Sequence, residues 1–300
     1  MNKKNLKRWG NTLMICLLGI GMATFTGCNK ENNGGGDTPV NPGGGDTPVN
    51  PGGGSGGGGD TPVNPGGSTS GDSWAHLINE TPHDAVVNGN TLTYGDHVYT
   101  VNGEIDLNAT TFQTATAYVT FTNIPSGYTE FEAVYNNLLG KSMQGTAAMI
   151  PMAMEIFARD EALGTRCFEL ICNGSATVSG ITRILKTKFN YSQYSPDNDL
   201  YVQRFLPAVT LKNAAWNNGY NPTEPYTVEM CRSANAPQQT QLFGYGTVYY
   251  LYILAPGGWD TFQRSVEIYQ PMGSEKYQVY NCPALYTQCK NIYGTWNGLK

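Results

Sequence analysis

The chain has 300 residues, 14 % of them charged, a formal net charge of −5 and 37 glycines. Sixteen glycines and six prolines fall between Gly34 and Gly71, and residues 73–300 keep an ordinary glycine content. That segregation excludes a collagen-like repeat and a wholly disordered chain. A single long apolar stretch, at the N-terminus, excludes a polytopic membrane protein.

Residues 1–27 have the layout of an export signal. Lys3, Lys4, Lys7 and Arg8 give a positive start, residues 13–25 are apolar and uncharged, and Thr26-Gly27 places small residues before Cys28. This arrangement resembles the signal of a Bacteroidota-type lipoprotein. The resemblance implies cleavage before Cys28 and lipidation there, the thiol carrying a palmitate-type diacylglycerol. Acyl chains buried at about 0.8 kcal/mol per methylene then hold the mature chain on a membrane without a spanning helix. Asn29, rather than Asp, after the cysteine points to the outer membrane, and the side faced, periplasm or cell surface, stays open.

Residues 28–72 read as a tether. Gly-Asp-Thr-Pro-Val-Asn-Pro-Gly occurs three times, and each copy offers one valine to bury. So little apolar surface cannot offset the entropy of ordering. The stretch spans at most about 150 Å, and about 40 Å as a flexible chain.

Residues 73–300 form the third part, a single globular domain with 13 basic and 18 acidic side chains. No basic run interleaved with aromatics is present, so nucleic acid is not an expected partner. Strands are predicted at 85–87, 91–94, 97–101 and 116–122, with Asn88-Gly89 and Asn102-Gly103 as turn signals. They form an N-terminal β part over about 85–123. Helices follow: one from a capping box at Thr129-Glu130-Phe131-Glu132 to Gly140, one over 143–162 kinked or broken at Pro151, and two over 166–171 and 178–189. Met143, Met149, Met152 and Met154 have the softness of copper ligands, but beside Ala and Ile they read as core filling. Strands return at 226–231, 246–254, 265–269 and 277–281, and residues 283–292 predict a short helix opening on proline. The fold class is α+β: N-terminal β hairpins, a central helical block, and a C-terminal antiparallel sheet with a short terminal helix.

Chemistry-bearing motifs are few. Cys167, Cys172, Cys231, Cys282 and Cys289 are an odd set with no zinc-ligand spacing, and read as buried thiols with at most one disulfide, its pairing open. His76, His83 and His97 stand in no catalytic motif, and neither a nucleophile elbow nor a phosphate loop is present. Asp160-Glu161 reads as a solvated pair near a helix end rather than a glycosidase carboxylate. No metal or cofactor is expected.

The most distinctive stretch runs Asn217-Asn218-Gly219-Tyr220-Asn221-Pro222-Thr223-Glu224-Pro225-Tyr226-Thr227-Val228. With the helix around Arg166-Cys167-Phe168-Glu169 and the turn from Gly258-Trp259-Asp260 to Arg264, it resembles an uncharacterised bacterial domain family over about residues 140–291. That family shows N-N-x-Y-x-P-x-x-P-Y-x-V, and the resemblance implies no activity or cofactor. Trp216, Tyr220 and Trp259 are candidates to stack on a sugar ring, or else loop anchors packed on the sheet. Asp260 and Arg264 are a candidate polar pair beside them, or a turn-stabilising ion pair. The sequence therefore reads as a lipid-anchored extracytoplasmic protein that binds a protein or glycan partner without catalysing a reaction. Two alternatives stand beside it: a hydrolase acting on glycan or peptide, and a structural envelope component.

Overall fold

Two tight turns build the first edge of the sheet. Strands β1 (Ala85–Asn88), β2 (Thr91–Tyr94) and β3 (His97–Gly103) are joined by the two-residue loops Gly89-Asn90 and Gly95-Asp96. Both loop glycines have φ near +60°, the conformation that a two-residue hairpin loop demands. A computed structural model describes residues 80–190, 203–234, 238–255, 257, 262–287, 289–290 and 298–300. The signal, Cys28, the repeats and His76 lie outside the described residues, as do Trp259 and Asp260.

Strand β4 (Ala117–Phe121) buries Ala117, Val119 and Phe121 by strict alternation and pairs with both β3 and β5 (Tyr226–Arg232). The sheet continues through β7 (Gly246–Leu254), β8 (Gln263–Pro271) and β9 (Gln278–Asn281), and β6 (Gln239–Leu242) pairs with the start of β7. All nine strands among the described residues are antiparallel neighbours in one sheet. With the helices grouped between β4 and β5, the fold is α+β.

The helical block is α1 (Tyr128–Asn137), α2 (Met143–Arg159), α3 (Glu161–Ile171), α4 (Ser175–Asn190) and the single turn α5 (Leu206–Val209). Helix α2 is the centre of the core: fourteen of its seventeen residues are buried, Met149, Met152 and Met154 among them. A helix apolar on every side must be enclosed, and that enclosure explains its continuity. The break expected at Pro151 does not occur, because packing on all sides offsets the roughly 3 kcal/mol that an interior proline costs. Helix α3 crosses α2 at close range. A Cβ on Gly164 would stand 2.2 Å from the Phe157 Cα, so the contact needs glycine.

Other expectations are also corrected. Helix α1 begins at Tyr128 after Gly127, with no side-chain cap from within the helix. Its capping groups come from far upstream. The Glu80 carboxylate accepts hydrogen bonds from Thr129 N at 2.6 Å and Thr129 Oγ1 at 2.9 Å, replacing the expected capping box. Asp160 caps α3 by accepting from Leu163 N, and Glu161 pairs with Lys186 at 2.7 Å. The expected helix at 283–292 is a single 3-10 turn, Pro283–Leu285, after which Tyr286, Thr287, Cys289 and Lys290 are non-helical. Strand β6, rich in Gln, was not predicted.

The C-terminal residues are pinned into the core. Ile124 N donates to Lys300 O at 2.6 Å, Arg159 Nη2 donates to Leu299 O at 2.6 Å, and Leu299 N donates to the buried Glu155. Burial raises the pKa of Glu155 against the opposing pull of Arg159. The five cysteines among the described residues are free thiols, so the disulfide that the sequence allows between them is not formed. Among the described residues no helix is long and apolar enough to cross a membrane.

Candidate functional site

The loop that carries the distinctive motif is occupied with holding itself together. Asn218 Oδ1 accepts from Ala215 N at 3.0 Å and Asn221 N at 3.2 Å, and its Nδ2 donates to the carbonyls of Asn213 and Asn221. Asn221 Nδ2 donates back to Asn218 O at 2.6 Å. Every hydrogen-bonding site of one side-chain amide is thus spent on backbone. Tyr220 takes a left-handed φ of 56°, which turns its ring inward. There it stacks on Phe205 at 4.7 Å and 11°, and its hydroxyl donates to Lys290 O. Burial pushes its pKa well up. Tyr220 therefore occupies the position of the loop anchor.

The other described candidates lie around the same segment: Lys290, whose carbonyl accepts from Tyr220 OH, carries the ammonium beside Trp216, and Cys289, in contact with Tyr220 OH, feels the charge of Arg264. Trp216 is 54 % exposed, with the Lys290 ammonium 5.9 Å from its ring centre. Arg264 is buried on the core face of β8, opposite Ile253. Trp259 and Asp260 lie outside the described residues.

Two clusters that the sequence did not reveal are better organised. The first centres on Glu130, which is buried on α1. Its Oε1 lies 2.7 Å from His97 Nδ1 and accepts from Tyr99 OH at 2.7 Å. Its Oε2 accepts from Ser126 N and Ser126 Oγ, both at 2.7 Å. Burial alone would raise the Glu130 pKa, but these four partners outweigh it and hold the carboxyl below its ordinary value. The hydrogen bond to Glu130 raises the pKa of His97 against the opposing effect of its own burial. Glu130 holds the His97 ring as a carboxylate holds a catalytic imidazole. Ser126, however, bonds the carboxylate rather than the imidazole, so the nucleophile–base contact that such catalysis requires is not made by this serine. The thiols do not supply one in ionised form either. Burial pushes Cys231 and Cys289 to about 11 and Cys282 to about 12, far above the range of reactive thiolates.

The second cluster is an open cleft of about 380 Å³ where β6, β7 and β8 end. That volume lies in the range of small-ligand sites, about 300–1,000 Å³. Gln241, Thr247 and Gln270 are direct cross-strand partners and form one row across three strands. Thr247 stands on the same face of β7 as Leu251 and Ile253, and Gln270 on the same face of β8 as Val266 and Ile268, by the two-residue period of a strand. The row thus continues the core face beyond the core, with polar residues where alternation elsewhere places aliphatic ones. Gln270 is fixed by Tyr249 OH at 3.3 Å and by its own bond to Ser274 O. Two turns flank the row and carry the most exposed large apolar side chains described, Phe243 at 99 %, Met272 at 76 % and Tyr245 at 73 %. Met272 N donates to Tyr245 O, and Tyr269 OH donates to the same carbonyl, which ties the turns to each other. Gly244 and Gly273 have φ of 78° and 76°, and a side chain at either would be strained.

None of the cleft's eleven lining residues is ionisable. It offers neutral donors and acceptors and apolar contact, the means of binding rather than of proton transfer. A sequence signal for it existed in retrospect: aromatic residues alternating with glycines, Phe243-Gly244-Tyr245-Gly246, in a hairpin turn that ordinarily favours polar residues.

No curated protein and no solved structure matches the chain. Residues 123–293 match a family described as a domain of unknown function, DUF6935, whose span opens just after β4 and closes beyond the last strand. Since that span covers more than half of the sequence, the chain belongs to the DUF6935 family.

Proposed function

We propose that the protein is a lipid-anchored extracytoplasmic binding protein. Residues 1–27 direct export, Cys28 carries the lipid in the outer membrane, and residues 28–72 hold the folded part away from the bilayer. The folded part engages a protein or glycan partner through the cleft at the end of β6–β8. The observation that carries this reading is the pair of linked turns that leaves Phe243, Tyr245 and Met272 in water around a polar row. Apolar side chains grouped at one exposed place, rather than scattered, mark interaction sites.

The test uses the full chain in cells. A photo-reactive diazirine residue replaces Phe243, or Glu169 on the exposed side of α3 as a control. Light-dependent adducts at position 243 and none at 169 are expected; no adduct at 243, or equal adducts at both, overturns the reading. Anchoring is read separately by incorporation of an alkynyl palmitate. Labelling of the wild type that Cys28→Ala abolishes is expected, and labelling that survives the substitution rejects Cys28 as the site.

A further inference from the structure

We propose that the ligand of the β6–β8 cleft is a segment of an uncharged carbohydrate chain; this deepens the partner-binding reading and rests on it. A pyranose presents hydroxyl groups around its rim and a face of C–H bonds. The rim needs donors and acceptors at fixed positions, and the face needs an apolar wall, commonly an aromatic ring. The cleft supplies both. Gln241, Thr247 and Gln270 give two amides and a hydroxyl in register across three strands, positioned by a rigid sheet. Phe243 and Met272 give the walls. Among the described residues the side chains of Gln241 and Thr247 have no protein hydrogen bond, whereas Gln270 is held in place by Tyr249 and Ser274.

Other ligand classes fit less well. An anion would need a cation in the lining, and none of the lining residues is charged. The nearby Lys276 is committed to Asn136 Oδ1 at 2.6 Å and lies over the Tyr135 ring. A metal ion would need carboxylate, imidazole or thiolate groups, and the lining has none of these. An acyl chain would leave the Gln241 amide and the Thr247 hydroxyl without partners, at the cost of their desolvation. The net negative charge of residues 73–300 also disfavours acidic polymers at long range.

The test is affinity electrophoresis of the full chain, extracted from membranes and kept in a neutral detergent throughout. Gels contain a neutral polysaccharide (a mixed-linkage β-glucan, a galactomannan or an α-mannan) or an acidic one (polygalacturonate or hyaluronate). Retardation by at least one neutral polymer is expected, unchanged between 50 and 500 mM salt as roughly expected of uncharged contacts. Phe243→Ala should weaken it by about tenfold or more, the loss of a stacked ring, and Thr247→Val by about fivefold, the loss of one hydrogen bond. Both variants should keep the wild-type melting temperature. Retardation by none of the neutral polymers, by the acidic ones alone, or equally in wild type and Phe243→Ala overturns the proposal. If adducts still form at position 243 in cells while no neutral polymer binds, the ligand class is wrong and partner binding stands. If neither occurs, both readings fall.

Discussion

The two halves of the sheet treat their polar groups in opposite ways. Around β3 and α1, Glu130 is buried and each of its oxygens has two partners. Around the ends of β6–β8, a row of amides and a hydroxyl continues the core face into water, flanked by apolar side chains that no described residue covers. Full satisfaction inside a low-dielectric interior is what makes a polar cluster stabilising. A group left with capacity to bond, on a rigid strand, contributes little to folding and remains available to a ligand. Glu130 accordingly fastens elements together, and the cleft displays them.

This contrast can be broken at either end. The largest effect is expected from Glu130→Ala, which strands the buried Tyr99 hydroxyl and removes the partner of His97. A loss of about 3–5 kcal/mol is the usual result of removing one member of a buried polar pair, and it is read by chemical denaturation at pH 7. A loss below about 1 kcal/mol would remove the distinction between the two regions.

A smaller, pH-dependent effect follows from His97. Its folded pKa lies above the ordinary imidazole value of 6.5, so its stabilising contribution is complete below pH 6.5 and is lost as pH rises through the folded value. Glu130 acts with the opposite sign. Its folded pKa is depressed, so its contribution is present above the ordinary carboxylate value of 4.5 and is lost as pH falls through the folded value. Denaturation midpoints measured from pH 5 to 9 should decline on the alkaline side in the wild type and less steeply in His97→Asn. Identical slopes would show that the ring is not held as a cation.

The smallest effect on stability sharpens the comparison most. Phe243→Ala removes a fully exposed ring and should change unfolding free energy by no more than about 0.5 kcal/mol. A loss of 2 kcal/mol would mean that the ring packs against something, and the cleft would then belong with the Glu130 region as structure.

What could be read from the sequence follows the range of the forces involved. The first hairpin was legible because Gly89 acts on its immediate neighbours, whereas Asn102-Gly103, which also signals a turn, closes β3 without forming a hairpin loop. The buried methionines were legible too, their apolar surroundings being written next to them. The start of α1 was legible to within a residue, but its cap was not, because the capping carboxylate, Glu80, lies 49 residues before Thr129. His97 showed no role for the same reason: its partner is 33 residues away on another element. Tyr220 was visible as distinctive, but whether its ring faced a ligand or the core depended on a single positive φ and on Phe205. The cleft escaped notice because Thr247 and Gln270 look like ordinary solvent-facing residues until register places them on the core face.

The match to DUF6935 begins at residue 123, and β1–β4 all precede it. A protein cut back to 123–293 would lose β4 from the side of β5, baring the backbone donors and acceptors of a strand rich in Val, Met and Cys. Such an edge is a template for pairing with another copy of itself. The shortened chain would also lack Leu299 and Lys300, leaving Glu155 and Arg159 buried without the backbone groups they bond. Preparations trimmed to the family limits should therefore precipitate or assemble edge to edge, and the smallest soluble unit should reach back to Glu80 and forward to Lys300.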